Sequence, residues 1–384
     1  MKSSTPEYLA EKNRKVIINT LKAFGPLSRA EISRRVGLSF PAVSSNVGFL
    51  IDEDYIREVG EGDNSMGRKS TLLKFNSDKG YVLGIDLGRY KVKLAIADLL
   101  GNMNCYLSKE IKNLGTNSPG LKDIIEESQK QSGIDAKQIK AVCVGTPGVV
   151  SDGNDKIILA PFSEGIDKNN ILKEIKSYFK CPVTIANTVS LGAIGEKWKG
   201  CGSGYKNIVY INYGIGIGSA YILNDSLFTG TNGVAGEIGF MVTSPESVKK
   251  EYTEVGVLEQ KISGHSLDRL VASQTEFNTL KDLFLSDSKE AKVLQSTVIN
   301  DIEKYLGSAL INISSVINPQ VIIMSGGIGI NIGKLLVSKW ETMLEANNPF
   351  PPKILISEVD SYSNVLGAIR YALKNVEDMY CALD

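Results

Sequence analysis

Apolar residues recur at helical spacing between Asn13 and Phe24, with Ile17, Leu21 and Phe24 on one face, and Gly25-Pro26 closes the run. The next segment opens with Ser28-Arg29-Ala30-Glu31. A serine and a glutamate three residues apart can each satisfy a free amide at a helix start, which predicts a second helix running to Val36 and ended by Gly37. Ser39 then caps a third helix, and Pro41 sits in its first turn, where a missing N–H removes no helical bond. Val43, Val47 and Leu50 form the inward face of that helix. Beyond it the pattern turns strand-like: Tyr55 to Gly60 and Thr71 to Phe75 predict two short strands around a polar, glycine-containing loop.

Three short helices followed by a β-hairpin form the pattern of a winged helix-turn-helix, in which the third helix enters the major groove of DNA. The outward residues of that helix are Ser39, Phe40, Pro41, Ser44, Ser45 and Gly48, small enough for close approach. Serine bonds to any base, so these positions spell no operator. At the base of the hairpin loop lies Gly67-Arg68-Lys69, and an arginine beside a glycine can enter a narrow A·T-rich minor groove. Residues 1–51 hold eight Lys or Arg against three Asp or Glu, while the whole chain balances at 43 against 43, which implies a local footprint on DNA rather than general affinity for nucleic acid.

From Tyr81 the chain becomes strand-rich α/β. At 384 residues with 42% hydrophobic content it can bury more than one core. We expect a DNA-binding domain over residues 1–76 and a two-lobed region over 77–384, with one lobe formed by 77–186 plus 365–384 and the other by 187–364. No segment is apolar enough to span a membrane, and the charged start carries no export signal, which predicts a cytoplasmic protein. The five cysteines, at 105, 143, 181, 201 and 381, form no Cys-x-x-Cys pair, which points to reduced thiols rather than disulfides or a metal knot. With His265 as the one histidine, no multi-histidine metal site can be built.

The strand Tyr81 to Asp86 ends in Asp86-Leu87-Gly88 and is followed by a second strand, Lys91 to Asp98. This hairpin resembles the first phosphate loop of the actin-like sugar-kinase fold. Gly145-Thr146-Pro147-Gly148-Val149-Val150 resembles the substrate loop, Asn212 to Gly218 the second phosphate loop, and Gly233 to Phe240 the Gly-Glu-Ile-Gly-His sugar motif. Ile317-Asn318-Pro319 with Ser325-Gly326-Gly327 is similar to the adenosine-side turn. Five such loops in order behind a winged helix resemble the ROK family of repressors and sugar kinases across essentially the full chain. The chain resembles in particular the xylose-repressor and N-acetylglucosamine-repressor type members.

The departures from the family pattern concern catalysis. ROK kinases carry an aspartate as general base in a Glu-Asn-Asp-Ala-Asn run, and the matching run here is Ala186-Asn187-Thr188-Val189-Ser190. Threonine takes up no proton at neutral pH, and a positioned base contributes roughly 10²- to 10⁴-fold in rate. Arg89-Tyr90 replaces a small Gly-Thr pair in the first phosphate loop, and Ile215 stands where the second uses a hydroxyl. The family's zinc ligands are three cysteines and the histidine of the sugar motif. Their positions are held by Lys250, Tyr252, Val257 and Phe240, so the loop is expected to pack around Phe240, Tyr252 and Val257 instead of a metal.

By the same resemblance, Asn187, Glu237 and Glu259 match positions that hydrogen-bond sugar hydroxyls, and Gly148 matches the glycine that lets the substrate loop pass close to the ring. Thr188 and Phe240 fill altered positions of that pocket. The resemblance implies a DNA-binding repressor of carbohydrate-utilisation genes, without kinase activity, cofactor or metal. It would respond to a sugar effector and act as a homodimer or tetramer on a pseudo-palindromic operator. A residual sugar kinase and a regulator controlled by a protein partner are the alternatives.

Overall fold

The computed structural model describes residues 6–62, 70–88, 91–110, 120–150, 157–159, 168–248, 251 and 253–379. The N-terminal helices are α1 (Pro6–Phe24), α2 (Arg29–Val36) and α3 (Phe40–Asp52), and the wing sheet is built from β1 (Leu27–Ser28), β2 (Ile56–Gly62) and β3 (Ser70–Phe75) in the order β1-β3-β2. Both expected caps are present. The Ser28 hydroxyl accepts from the Glu31 amide while the Glu31 carboxylate accepts from the Ser28 amide at 2.8 Å, and Ser39 accepts from the Ala42 amide. Two expectations need correction. The first helix starts at Pro6, well before Asn13, and Phe24 is 59% exposed under the Arg35 guanidinium, the inward positions being Ile17, Ile18 and Leu21. Strand β1 has only two residues and escapes any periodicity argument.

The rest of the chain holds two five-stranded sheets. The first is built from β4 (Tyr81–Leu87), β5 (Lys91–Asp98), β6 (Met103–Glu110), β7 (Ile139–Thr146) and β10 (Val183–Asn187) in the order β10-β7-β4-β5-β6. A small separate ribbon pairs β8 (Val149–Val150) with β9 (Ile157–Leu159). The second large sheet is built from β11 (Ile208–Tyr213), β12 (Ile217–Leu223), β13 (Ser226–Phe228), β14 (Val321–Ser325) and β15 (Lys353–Ile356) in the order β13-β12-β11-β14-β15. In each sheet three antiparallel strands are extended by two parallel ones. This internal repetition is the architecture expected of the actin-like two-lobed fold.

Helices α4 (Leu121–Ser132) and α5 (Lys168–Tyr178) accompany the first sheet, and α6 (Thr188–Lys199) follows β10 directly. Helices α7 (Val257–Ile262), α8 (Gly264–Gln274), α9 (Leu280–Leu285), α10 (Lys289–Ile317), α11 (Gly327–Asn331) and α12 (Gly333–Asn347) accompany the second sheet, and α13 (Asp360–Met379) returns to the first. This last helix begins at Asp360, not at 365.

Strand alternation divides the second sheet cleanly. Val209, Ile211 and Tyr213 face the α10 and α12 side, whereas Ile208 and Tyr210 face α6. On the first sheet, the face toward α13 is built from small residues, including Ala95, Ala97, Ala141 and Gly84, and a Cβ on Gly84 would lie 3.0 Å from Ile369. Helix α13 therefore sits close on β4 and β7, and α6 packs between α13 and the second sheet.

Candidate functional site

The candidate DNA-facing surface is set by which side of α3 the core leaves free. Val43, Val47 and Leu50 are buried, at 2% exposure or less, in one cluster with Ile17, Ile18 and Leu21 of α1. That leaves Ser39, Phe40, Pro41 and Ser45 exposed, with Ser44 and Gly48 half-buried, and a Cβ on Gly48 would meet nothing within 4 Å. From Phe40 to Ile51 the helix carries no charged residue, and Asp52 at its end is its one charge. Arg14 of α1 stacks on Phe49, 3.4 Å from the ring centroid, fixing α1 against α3. Arg68 and Lys69 lie outside the described residues. The strands leading to them are longer than expected, and β2 carries an irregularity between Glu58 and Glu61 where Gly60 adopts φ 133°.

The sugar-site candidates come together where β10 and α6 meet β12 and α7. Asn187 is the N-cap of α6. Its side-chain oxygen accepts from the Val189 and Ser190 amides at 2.8 and 3.2 Å, and its amide donates to the Gly148 carbonyl at 2.8 Å. Gly148 adopts φ 105°, a conformation that favours glycine. Asn187 thus ties the substrate loop to the helix start and keeps one N–H for a ligand. Thr188, the first residue of α6, is 7% exposed.

Across from them, the methyl of Val189 would lie 3.1 Å from a Cβ on Gly218, which places the start of α6 against the start of β12. The Ile217 amide donates to Glu259 Oε1 at 2.9 Å, and a Cβ on Gly239 would lie 2.6 Å from Glu259 Cγ. Gly236 is held against β12 by the Ser219 amide, which donates to its carbonyl at 2.7 Å, with φ 101°. Glu237 and Glu259 are therefore neighbours. Burial pushes the Glu237 carboxyl up, and the nearby Glu259 adds to that, although part of the Glu237 surface is open to solvent. Burial also pushes Glu259 up, offset in part by the Ile217 and Gly256 amides. Of the two, Glu237 is the one presented outward, while Glu259 is also a backbone tether.

Phe240 is 37% exposed and Val257 half-buried, and Tyr252, the third residue of the expected packing, lies outside the described residues. The backbone is close-packed here: a Cβ on Gly256 would lie 2.0 Å from the Gly239 carbonyl oxygen. Phe240 and Val257 offer no donor at the positions where the family pattern has zinc ligands. Among the described residues no group of three or more His, Cys, Asp or Glu could hold one.

Asp86 closes β4 beneath this junction. It is 5% exposed, its Oδ2 accepts from the Asn364 amide of α13 at 3.2 Å, and its Oδ1 is buried without a partner among the described residues. Burial pushes its carboxyl up, with Lys93 across the strand pair and Asn364 offsetting only part of the effect. Tyr106 and Tyr362 stack beside it at 4.7 Å between centroids. Asn364 is 278 residues away in sequence and carries no motif, so nothing local pointed to it. In the second phosphate loop, the Gly214 amide donates to the Gly216 carbonyl, and the Gly214 and Ile215 carbonyls accept from the first amides of α8, Gly264 and His265.

The profile described as "ROK family" matches residues 82–375, which is most of the chain. The chain belongs to the ROK family. A winged helix-turn-helix DNA-binding profile matches residues 11–57, over α1 to β2. The chain is similar to the xylose repressor of Bacillus spizizenii, with 31% identity over 335 residues that cover 84% of this chain and 83% of that protein. It is also similar to the xylose repressor of Caldicellulosiruptor bescii, with 26% identity over 392 residues that cover 96% and 97%. Among solved structures, a ROK family transcriptional regulator described as a homologue of the Escherichia coli MLC protein superposes with a TM-score of 0.76 at 21% identity, covering 97% of this chain and 99% of that one. The ROK lobes and the N-terminal winged helix are thus parts of one arrangement. No described helix is long and apolar enough to cross a membrane.

Proposed function

We propose that this ROK protein is a transcriptional repressor whose α3 reads an operator and whose interlobe site, lined by Gly148, Asn187, Thr188, Glu237, Phe240 and Glu259, binds a sugar that alters DNA affinity. The observation that carries the reading is the convergence of two neighbouring carboxylates and the Asn187 amide at a junction where the position of the catalytic base is the buried Thr188. Carboxylates accept from the paired hydroxyls of a sugar ring, and without a base the bound sugar is held rather than phosphorylated. Xylose repressors are among the relatives, so D-xylose is the first sugar to test, followed by L-arabinose, D-glucose and N-acetyl-D-glucosamine. Dimers on pseudo-palindromic half-sites would let a small change of lobe angle remove contacts on one half-site.

The second phosphate loop supports the absence of kinase chemistry. Its Gly214 amide is already bonded to Gly216, so it presents one fewer donor to a phosphate. Sugar-dependent ATP consumption should be undetectable even at high protein concentration with each of the four sugars. Turnover that disappears in Asp86→Asn would contradict this and restore the kinase alternative.

Glu237→Gln tests the site itself. Glutamine keeps the shape and removes the charge, so basal DNA binding should persist. The sugar response should fall by roughly tenfold or more, as expected for a charge-assisted hydrogen bond of about 1.5 to 3 kcal/mol. The readout is the sugar concentration that half-shifts binding to a duplex selected by the wild-type protein from a random-sequence pool. An unchanged midpoint sinks the assignment of Glu237 and favours control by a protein partner.

A further inference from the structure

Asn187 and Thr188 open α6, and α6 is joined to α13 without intervening side chains. A Cβ on Gly367 of α13 would lie 1.8 Å from the Leu191 carbonyl oxygen of α6, and a Cβ on Gly195 of α6 would lie 2.0 Å from the Ser363 carbonyl oxygen of α13. Two helices in direct backbone contact have no rotamers between them to absorb a displacement, so a shift of one is carried into the other. The N-terminal part of α13 also reaches the first sheet through the Asn364 amide bonded to Asp86, and Ser363 lies 3.5 Å from the Tyr210 hydroxyl of the second sheet. The start of α13 therefore senses the first sheet, the second sheet and the helix that carries the site.

The other end of the same helix reaches the DNA-binding domain. Lys22 of α1 pairs with Glu377 at 3.2 Å, with side chains only 14% and 17% exposed, and Arg370 approaches Glu377 at 3.3 Å from two turns of α13 nearer the site. The Lys22 ammonium also lies 4.8 Å from the centre of the Phe75 ring, at the end of the wing. From Asn364 to Glu377 is about 20 Å along the helix axis. Over that span Val365, Ala368, Ile369, Ala372, Leu373 and Val376 are all buried in the cluster that also holds Ile17, Leu21, Val47 and Phe75. One core therefore runs from the helix that opens the candidate sugar site to the candidate recognition helix, and the domain boundary in sequence is not a break in packing.

We infer that α13 is the element that reports occupancy of the interlobe site to the DNA-binding domain, and that the Lys22–Glu377–Arg370 cluster is the joint at which it acts. This rests on the interlobe site being a sugar site. A coupling of this kind requires a physical element whose two arrangements bind both ligands differently, and α13 touches both ends. Lys22 sits at the last turn of α1, which packs on α3 through Ile17, Ile18 and Leu21. A movement of α13 that strains or releases the ion pair changes how α1, and with it α3, is held.

The test uses the full chain as wild type, Lys22→Gln and Glu377→Gln. Three quantities are measured: heat of binding for D-xylose, L-arabinose, D-glucose and N-acetyl-D-glucosamine, affinity for the selected duplex, and the factor by which the bound sugar changes that affinity. Each variant should bind sugar and duplex separately within about threefold of wild type, while the sugar-induced change, about 5- to 150-fold for an allosteric pair, should shrink to less than about twofold. A variant that keeps the wild-type factor overturns the joint and leaves the sugar site standing. A wild type that binds none of the sugars overturns both. Should the variants fold poorly, hydrogen exchange on the wild-type protein decides: sugar should change protection in the last turn of α1 and in α13 as well as at Val189 and Ser190, and unchanged α1 and α13 amides overturn the inference.

Discussion

Ser44→Glu is expected to reduce operator affinity to the non-specific level, a loss on the order of 10³-fold. The reason lies in how α3 meets DNA. Its free face offers serine, proline, phenylalanine and glycine with no long basic side chain, so recognition depends on the helix backbone coming close to base edges and to the phosphates that flank the groove. Ser44 is half-buried in the middle of that face, and a glutamate there adds bulk and a negative charge toward phosphates that no neighbouring cation on α3 screens. Core packing is untouched, because Val43 and Val47 face the other way at 0% exposure. The comparison is fluorescence anisotropy of the selected duplex and of a scrambled one, with circular dichroism to show the fold is kept. Specific binding retained in Ser44→Glu would mean that another element reads the bases.

Gly367→Ala should destabilise the protein by about 3 kcal/mol or more, at the upper end of what overpacking costs. The added methyl would stand 1.8 Å from the Leu191 carbonyl oxygen and 2.5 Å from its carbon, both backbone atoms of a buried helix that has no rotamer in which to yield. Helix α6 or α13 has to move, and both are held on opposite sides by the two sheets. Gly48→Ala is the matched control: it is also a glycine inside a helix, but its Cβ meets nothing within 4 Å, so the substitution should stabilise by roughly 0.5 to 1 kcal/mol. Urea denaturation followed by circular dichroism distinguishes them. Similar midpoints for Gly367→Ala and wild type would show that the two helices are not in rigid contact.

The DNA-binding half was legible because its signals are local. A serine three residues before a glutamate, a serine before a proline, and apolar spacing within a dozen residues each act over one or two helical turns, and the caps at Ser28 and Ser39 form as read. Phe24 misled because its spacing of three from Leu21 fits the inward face, whereas the helix ends at Phe24 and the core takes Ile18 beside Ile17. In the lobes, loop order and glycine spacing disclosed the architecture, and the candidate residues Gly148 and Asn187 are bonded to each other. What the sequence could not disclose is which polar groups are already occupied. Asn187 holds a helix start, and Glu259 holds the Ile217 amide, whereas Glu237 is left facing outward. The Asp86–Asn364 and Lys22–Glu377 pairs join residues hundreds of positions apart, and nothing in a local pattern marks either partner.

Coupling of sugar binding between the ROK lobes to DNA binding by the winged helix is the function proposed for this chain. Its most direct test is a titration of the wild-type protein with its selected duplex, repeated at saturating D-xylose, L-arabinose, D-glucose and N-acetyl-D-glucosamine. At least one of these sugars should change the duplex affinity by about 5- to 150-fold, and the duplex should change the affinity for that sugar by the same factor, as linkage requires. A duplex affinity that is identical with and without every sugar, together with no heat of sugar binding in calorimetry, would contradict it.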